Sequence, residues 1–327
     1  MKKAVLPVAL LVTVAALAVA CEDSDSGGSG DAVDSGTGTL DSSTSGFDSS
    51  MADAATNPAD AADAADAADA GPKNALYAHI DGTLVKVDPA TGALTDVGPT
   101  GQEWITLAWD SSAKVPRVII GNYSPVGGAL TPMLGTIDLC TGTVTPTVAI
   151  AVGGNQVRRA ESLAQSPVTG TFYVTVGTTG TGASSEFLTE SNGTIDVTTG
   201  AVTILGNHNT VQDDGDNTTF IGAELHMLDV ATANNQGVLY KVDKTNGQTT
   251  KVSDVGPNVR RVDYDATRGV LFGTYGEGND PNATKREVVT VNPATGARMT
   301  LGAGINDALY GGKHINGLLS VPAPACP

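Results

Sequence analysis

The chain has 327 residues, of which 35 are acidic and 18 basic, giving a formal net charge of −17, and only 4% are aromatic. With neither a basic stripe nor interleaved aromatic residues, this composition argues against nucleic acid and anionic lipid as partners of a folded head, and leaves a protein, a carbohydrate or a cation.

The first 20 residues read as a secretion signal: Lys2 and Lys3 precede an apolar run from Ala4, and small residues lead up to Cys21. A signal that ends at Cys resembles that of a bacterial lipoprotein, although Leu17 sits one place earlier than the usual pattern has it. The expectation is cleavage before Cys21 and a lipid on its sulfur. The alternatives are an uncleaved apolar anchor or cleavage without lipid. The expected address is therefore the cell envelope, periplasmic or surface-exposed, with the membrane as a partner through the lipid anchor.

Residues 21–72 follow as a linker rich in Ser, Gly, Asp, Thr and Ala, and 12 acidic residues with no Lys or Arg account for most of the net charge. Such a composition builds no core and is expected to stay disordered. As a flexible coil it would span on the order of 40 Å.

From residue 73 to 327 the composition changes, and one short phrase returns five times. VDPATGALTDVG begins at Val87, IDLCTGTVTPTV at Ile137, IDVTTGAVTILG at Ile195, VDKTNGQTTKVS at Val242 and VNPATGARMTLG at Val291. Each copy reads as a β-hairpin: Asp or Asn bonds the backbone ahead, and Gly supplies a positive φ. The copies recur every 47 to 58 residues, from Asp88 through Asp138, Asp196 and Asp243 to Asn292. A second hairpin precedes most of them, as in ITLAWDSSAKVPRVIIGN from Ile105 and RRVDYDATRGVLFGTYG from Arg260. Two hairpins make a four-stranded blade, so the period predicts an all-β propeller of five blades, with six as the alternative. The fourth blade is the weak point, because only a short stretch separates Asp229 from Asp243. The first copy lacks residues in front of it. A strand from residues 313–321, which carries no phrase of its own, is predicted to complete blade one and close the ring.

The stretch LYAHIDGTLVKVDPATGALTDVG from Leu76 resembles the blades of bacterial extracytoplasmic propellers of the broad YVTN and NHL type. The resemblance implies the fold. It says little about activity, because that superfamily holds lactonases, lyases, scaffolds and binding modules.

Sites are sparse. If Cys21 takes lipid, Cys140 and Cys326 remain as a candidate disulfide. The strand entries to the axial channel suggest a polar site formed by Glu161, Glu224, His226, Arg260 and His314, with Arg158, Arg159 and Arg261 as further anion contacts. The opposing reading is a ring of mutually neutralising charges. QDDGDN at Gln212 and EGNDPN at Glu277 are acidic loops without the spacing of a calcium-binding hand, and Asn207–His208–Asn209 lies in a long connection suited to a specific contact. Four Asn-x-Ser/Thr matches, at Asn122, Asn192, Asn217 and Asn282, suit surface turns. No catalytic motif occurs and no cofactor is predicted. The expected function is a lipid-anchored binding or scaffold module for an envelope protein or glycan. The alternative is an envelope hydrolase, lactonase or lyase using a divalent metal of unknown identity on the propeller axis.

Overall fold

The computed structural model describes residues 73–102, 105–121, 131–177, 190–208, 214–231, 236–276, 287–302 and 315–323. The signal, Cys21, the linker, Cys326, His314, the acidic loop at Glu277 and the first two residues of the acidic stretch at Gln212 lie outside them; the rest of that stretch, residues 214–217, opens a strand where a loop was expected. The described residues form 22 β-strands and no helix.

Blade one holds β1 (Ala75–Ile80), β2 (Thr83–Val87) and β3 (Leu94–Pro99). Blade two holds β4 (Ile105–Asp110), β5 (Val115–Ile120), β6 (Met133–Ile137) and β7 (Val144–Ala149). A short hairpin, β8 (Ala151–Val152) and β9 (Asn155–Gln156), precedes blade three, which is β10 (Arg159–Gln165), β11 (Phe172–Gly177), β12 (Glu190–Ile195) and β13 (Ala201–Asn207). Blade four is β14 (Asp214–Ile221), β15 (Glu224–Ala231), β16 (Gln236–Val242) and β17 (Thr249–Pro257). Blade five is β18 (Val259–Asp265), β19 (Val270–Tyr275), β20 (Glu287–Val291) and β21 (Arg298–Thr300), and β22 (Ile315–Val321) ends the described chain.

Each blade is an antiparallel meander, and the strand orders make the ring explicit. Blade one runs β22-β1-β2-β3, so the C-terminal strand is its innermost member, as the missing front of the first phrase requires. Ala75 pairs with Val321 and Tyr77 with Leu319, and all seven residues of β22 are buried. Blade three carries an addition that the repeat pattern does not announce: β8 pairs in parallel with its outer strand β13 and covers that edge.

The apolar core is divided into five clusters, and each lies between two neighbouring blades. Tyr77 and Leu84 of blade one meet Ile105 and Val118 of blade two. Ile119 and Leu134 of blade two meet Leu163 and Val174 of blade three. Phe220 and Met227 of blade four face Ala164 of blade three, while Leu228 and Leu239 on its other side face Val262 and Leu271 of blade five. Phe272 and Val288 of blade five return to Leu76 and Val85 of blade one. Each sheet is thus packed on both faces, and burial falls off outward, from the wholly buried β22 to the wholly exposed β21.

An inner strand has one edge with no ladder partner, and side chains from adjacent blades satisfy part of it. The Thr106 hydroxyl donates to the Glu161 carbonyl (2.6 Å), the Val262 amide to Asn217 Oδ1 (2.8 Å) and the Ser320 amide to Asp263 Oδ2 (2.6 Å). Asn192 is buried in β12 and donates through Nδ2 to the Gly247 carbonyl of blade four (3.0 Å). The expectation that Asn192 and Asn217 sit on surface turns is therefore corrected: both are buried strand residues whose amides fasten one blade to the next.

The repeated phrase closes the third and fourth strands of every blade, as expected. Asp88, Asp138, Asp196 and Asp243 accept from the amide two residues ahead at 2.8 Å, and Asn292 does so at 3.0 Å. Gly92, Gly142, Gly200, Gly247 and Gly296 have φ between 69° and 75°. The structure adds a second reason for the glycine. A Cβ on Gly200 would stand 2.1 Å from the Ala149 carbonyl oxygen of blade two, and one on Gly142 would stand 2.5 Å from that of Gly98 in blade one. Sheet twist turns the outer strands so that the end of one abuts the outer turn of the next blade, and only a bare Cα fits there.

Two substitutions separate these roles. Gly269 has φ 65° but open space at its Cβ position, whereas Gly200 combines φ 72° with the blade contact. Gly269→Ala should lower Tm by roughly 2–6 °C for the left-handed backbone alone. Gly200→Ala should lower it by roughly 6–12 °C. Equal losses in a thermal melt would contradict the docking role.

Candidate functional site

The inner strands define two rims. At the entry rim the first strands begin, second strands pass to third strands, and each blade hands over to the next. At the opposite rim lie the first hairpin turns, held by Asp110, Ser166 and Asp265, each of which accepts from amides two and three residues ahead. Asp110 is also bridged by Arg117 (2.8 Å), and Asp265 is bridged by Arg268.

A polar cluster occupies the entry rim of blade three. Arg159 and Glu161 stand at the start of β10, Glu190 opens β12 and His208 follows β13, so three strands of one sheet bring four side chains together. Arg159 Nε pairs with Glu161 Oε1, and its Nη1 lies 3.7 Å from Glu190 Oε1. His208 Nε2 lies 3.1 Å from Glu190 Oε2. The side chains of Glu161 and Glu190 are only 8% and 2% exposed, so both carboxylates depend on these partners for the solvation that water no longer provides. Sequence reasoning singled out Glu161, Arg159 and His208 but missed Glu190. Its one sequence signal is position: Glu190 and Glu287 both open the third strand of their blades, and only Glu190 has Arg159 and His208 beside it.

The other predicted members do not join this group. Glu224 opens β15, the second strand of blade four, and so lies at the opposite rim from Glu161. The apparent alignment failed because the first hairpin of blade four turns tightly at Gly222–Ala223, and Asp229 lies within β15 rather than at a turn. Glu224 is half-exposed and pairs with Lys241 (2.8 Å), which holds its carboxyl below the usual range. His226 shares that strand, its Nδ1 lies 3.1 Å from the Glu224 carbonyl oxygen, and burial lowers its pKa. Arg260 is half-buried at the start of β18 and engaged by its surroundings. Among the described residues no three His, Cys, Asp or Glu side chains converge as metal ligands. Cys140 is disulfide-bonded, and its partner lies outside the described residues.

Two further titratable groups have strongly shifted pKa values. Asp263, on the inner strand β18, ties blade five to both neighbours: it accepts from the Thr219 hydroxyl of blade four (3.1 Å) and from the Ser320 amide of β22. Its side chain is half-buried. Burial pushes its pKa up to about 7 against these hydrogen bonds, and the charge of nearby Asp265 adds to the rise. His79, fully buried on β1, has Nε2 3.0 Å from Thr100 Oγ1, and burial lowers its pKa to about 4.

Comparison with models of protein families and with curated proteins gives no match. Among solved structures, the chain is similar to TolB from Acinetobacter baumannii (16% identity, TM-score 0.42), over 72% of this chain and 53% of that one. It is similar to a nidogen/laminin complex (11%, TM-score 0.45, 75% and 97%). It is also similar to an exo-β-1,3-galactanase from Phanerochaete chrysosporium crystallised with β-1,3-galactotriose (12%, TM-score 0.44, 71% and 55%). The chain spans about half the length of TolB and of the galactanase. The propeller assignment itself rests on the strand orders and the closed ring of blade interfaces.

Asp263 and His79 impose opposite pH dependences. The raised pKa of Asp263 makes the fold take up a proton between about pH 4 and 7, so its contribution falls as pH rises through that window. The lowered pKa of His79 makes the fold release one between about 4 and 6.5, so its contribution rises with pH. In urea unfolding between pH 4 and 7, Asp263→Asn should make stability rise more steeply with pH than in the parent chain, and His79→Gln should make it rise less steeply or fall. Parallel profiles for the two variants would contradict the assignment.

Proposed function

We propose that the chain is a lipid-anchored cell-envelope propeller that acts as a binding or scaffold module, taking a protein or glycan surface at the entry rim. The observation that carries the reading is the asymmetry of the rims. The opposite rim is built from repeated, hydrogen-bonded turns whose residues are accounted for by the fold. At the entry rim lie the described strand ends Gly121, Gly177, His208 and Gly276, each followed in sequence by an unrepeated stretch, and the rim holds the Arg159–Glu161–Glu190–His208 group at its blade three sector. Unrepeated connections on a rigid repeated scaffold are where specific contacts are usually placed. The tether is consistent with this arrangement. It joins the propeller at Lys73 and Asn74, beside the first residue of β1, and Asn74 is held to Asp265 (3.1 Å) and Ser320 (3.0 Å) at the opposite rim.

The alternative, a metal-dependent hydrolase, lactonase or lyase, rested on Glu161, Glu224 and His226 acting together, and the two carboxylates lie at opposite rims.

In the mature protein, mass spectrometry should find a diacylglycerol adduct on an N-terminal Cys21; an unmodified Cys21 or an intact Met1 would overturn the anchoring. A photo-crosslinker at Arg158, exposed at the entry rim, should capture a discrete envelope component in intact cells, whereas one at Thr295 in an outer turn should not. No capture from Arg158, or equal capture from both, would overturn the rim assignment. Mn²⁺, Zn²⁺ or Ca²⁺ should move the Tm of the head by less than about 1 °C. A shift of several degrees that is lost in Glu161→Gln would favour the enzyme.

A further inference from the structure

The C-terminal strand that completes blade one leads toward blade two. Val321, its last residue, is fully buried in the apolar cluster that also contains Leu139, a blade two residue 5% exposed. Cys140 follows Leu139 directly, on the outward side of the second phrase, with its amide donating to Asp138 Oδ1 (2.8 Å). Cys140 is disulfide-bonded, and the sequence contains 3 cysteines, so an intramolecular partner is Cys21 or Cys326. Cys326 lies three residues beyond Ala323, where the described tail ends, a reach of about 10 Å. Cys21 is separated from the first described residue by the whole linker.

We propose that Cys140 is joined to Cys326, and that this disulfide is a covalent latch on the ring, fastening the tail of the closing strand β22 to the outer turn of blade two. The reading is independent of which ligand the entry rim takes. Blade one has no covalent link to β22 except through the entire length of the ring, so without the latch the ring is closed by noncovalent contacts alone. The bond would complement the β22–β1 ladder at the end where β22 leaves the sheet. It also leaves the Cys21 sulfur available for a thioether to lipid, which a Cys21–Cys140 bridge would prevent.

Formation requires a disulfide-bearing oxidoreductase of the envelope as electron acceptor. One thiolate of the pair, Cys140 or Cys326, attacks the acceptor's disulfide, giving a mixed disulfide and releasing one acceptor thiol. The other thiolate then attacks the sulfur of its partner, forming the Cys140–Cys326 bond and releasing the second acceptor thiol. Two electrons and two protons pass from the pair to the acceptor. Reduction runs the exchange backward and returns closure to noncovalent contacts, which makes the device redox-sensitive.

Peptide mapping of the unreduced mature chain should recover a Cys140–Cys326 linked peptide, whether or not any variant folds. Cys140→Ser, Cys326→Ser and the double variant should lose the same Tm, on the order of 5–12 °C, and reductant should impose that loss on the parent chain but not on the variants. A Cys140–Cys21 peptide, or alkylation of Cys326 in the unreduced chain, would overturn the pairing. A mapped Cys140–Cys326 bond whose reduction leaves Tm unchanged would overturn the latch.

Discussion

Everything in this molecule depends on the antiparallel pairing of β22 with β1. A blade buries its apolar residues against its two neighbours, so an open array of five blades would leave two faces and an inner edge exposed. The ladder from Ala75–Val321 to Ile80–Ile315 removes those exposures together. It places Ile315 and Leu318 in the interface between blades five and one, and Leu319 and Val321 in the interface between blades one and two, with successive residues pointing to opposite faces. One strand thus serves two of the five interfaces. It is also the most non-local pairing in the chain, so its closure carries the largest loop entropy and is expected to form late in folding.

Around that closure, polar contacts fix which blade sits beside which. Apolar clusters of Val, Leu and Ile accept small displacements, but a side-chain amide that must meet one carbonyl does not. Asn192 to Gly247, Asn217 to Val262, and Asp263 to both Thr219 and Ser320 each join specific residues of adjacent blades. Blade five is tied most heavily, because it must hold β18 beside the returning β22. Asp263 and Asp265 there also reach Ser320 and Asn74, at the two ends of the propeller chain.

The architecture was legible because it is repeated. Five phrases gave five blades, and the missing front of the first phrase required the strand that β22 supplies. What was not repeated was read less well, for reasons visible in single residues. Glu224 was placed in an inner strand because blade four turns at Gly222–Ala223 without the Asp or Ser that marks its sisters, and Asp229 imitated that marker from within a strand. Glu190 and Asp263 draw their roles from Arg159, His208, Thr219 and Ser320, partners far away in the sequence, and no local pattern predicts such pairs. Asn192 and Asn217 matched a surface motif of three residues whose burial is decided by tertiary packing. The turn glycines were right for an incomplete reason: positive φ is legible locally, whereas the carbonyl of the preceding blade standing at the Cβ position is not.

The central claim is that the ring is a single cooperative unit closed by β22, and native-state hydrogen exchange of the purified propeller tests it most directly. If β22 closes the ring, the amides that ladder β22 to β1 should exchange with the same free energy and denaturant dependence as those between β10 and β11 or β18 and β19, through global unfolding. Exchange of the β22 amides at a markedly lower free energy, while the other inner strands stay protected, would show a ring that holds together without its closing strand and would contradict the account.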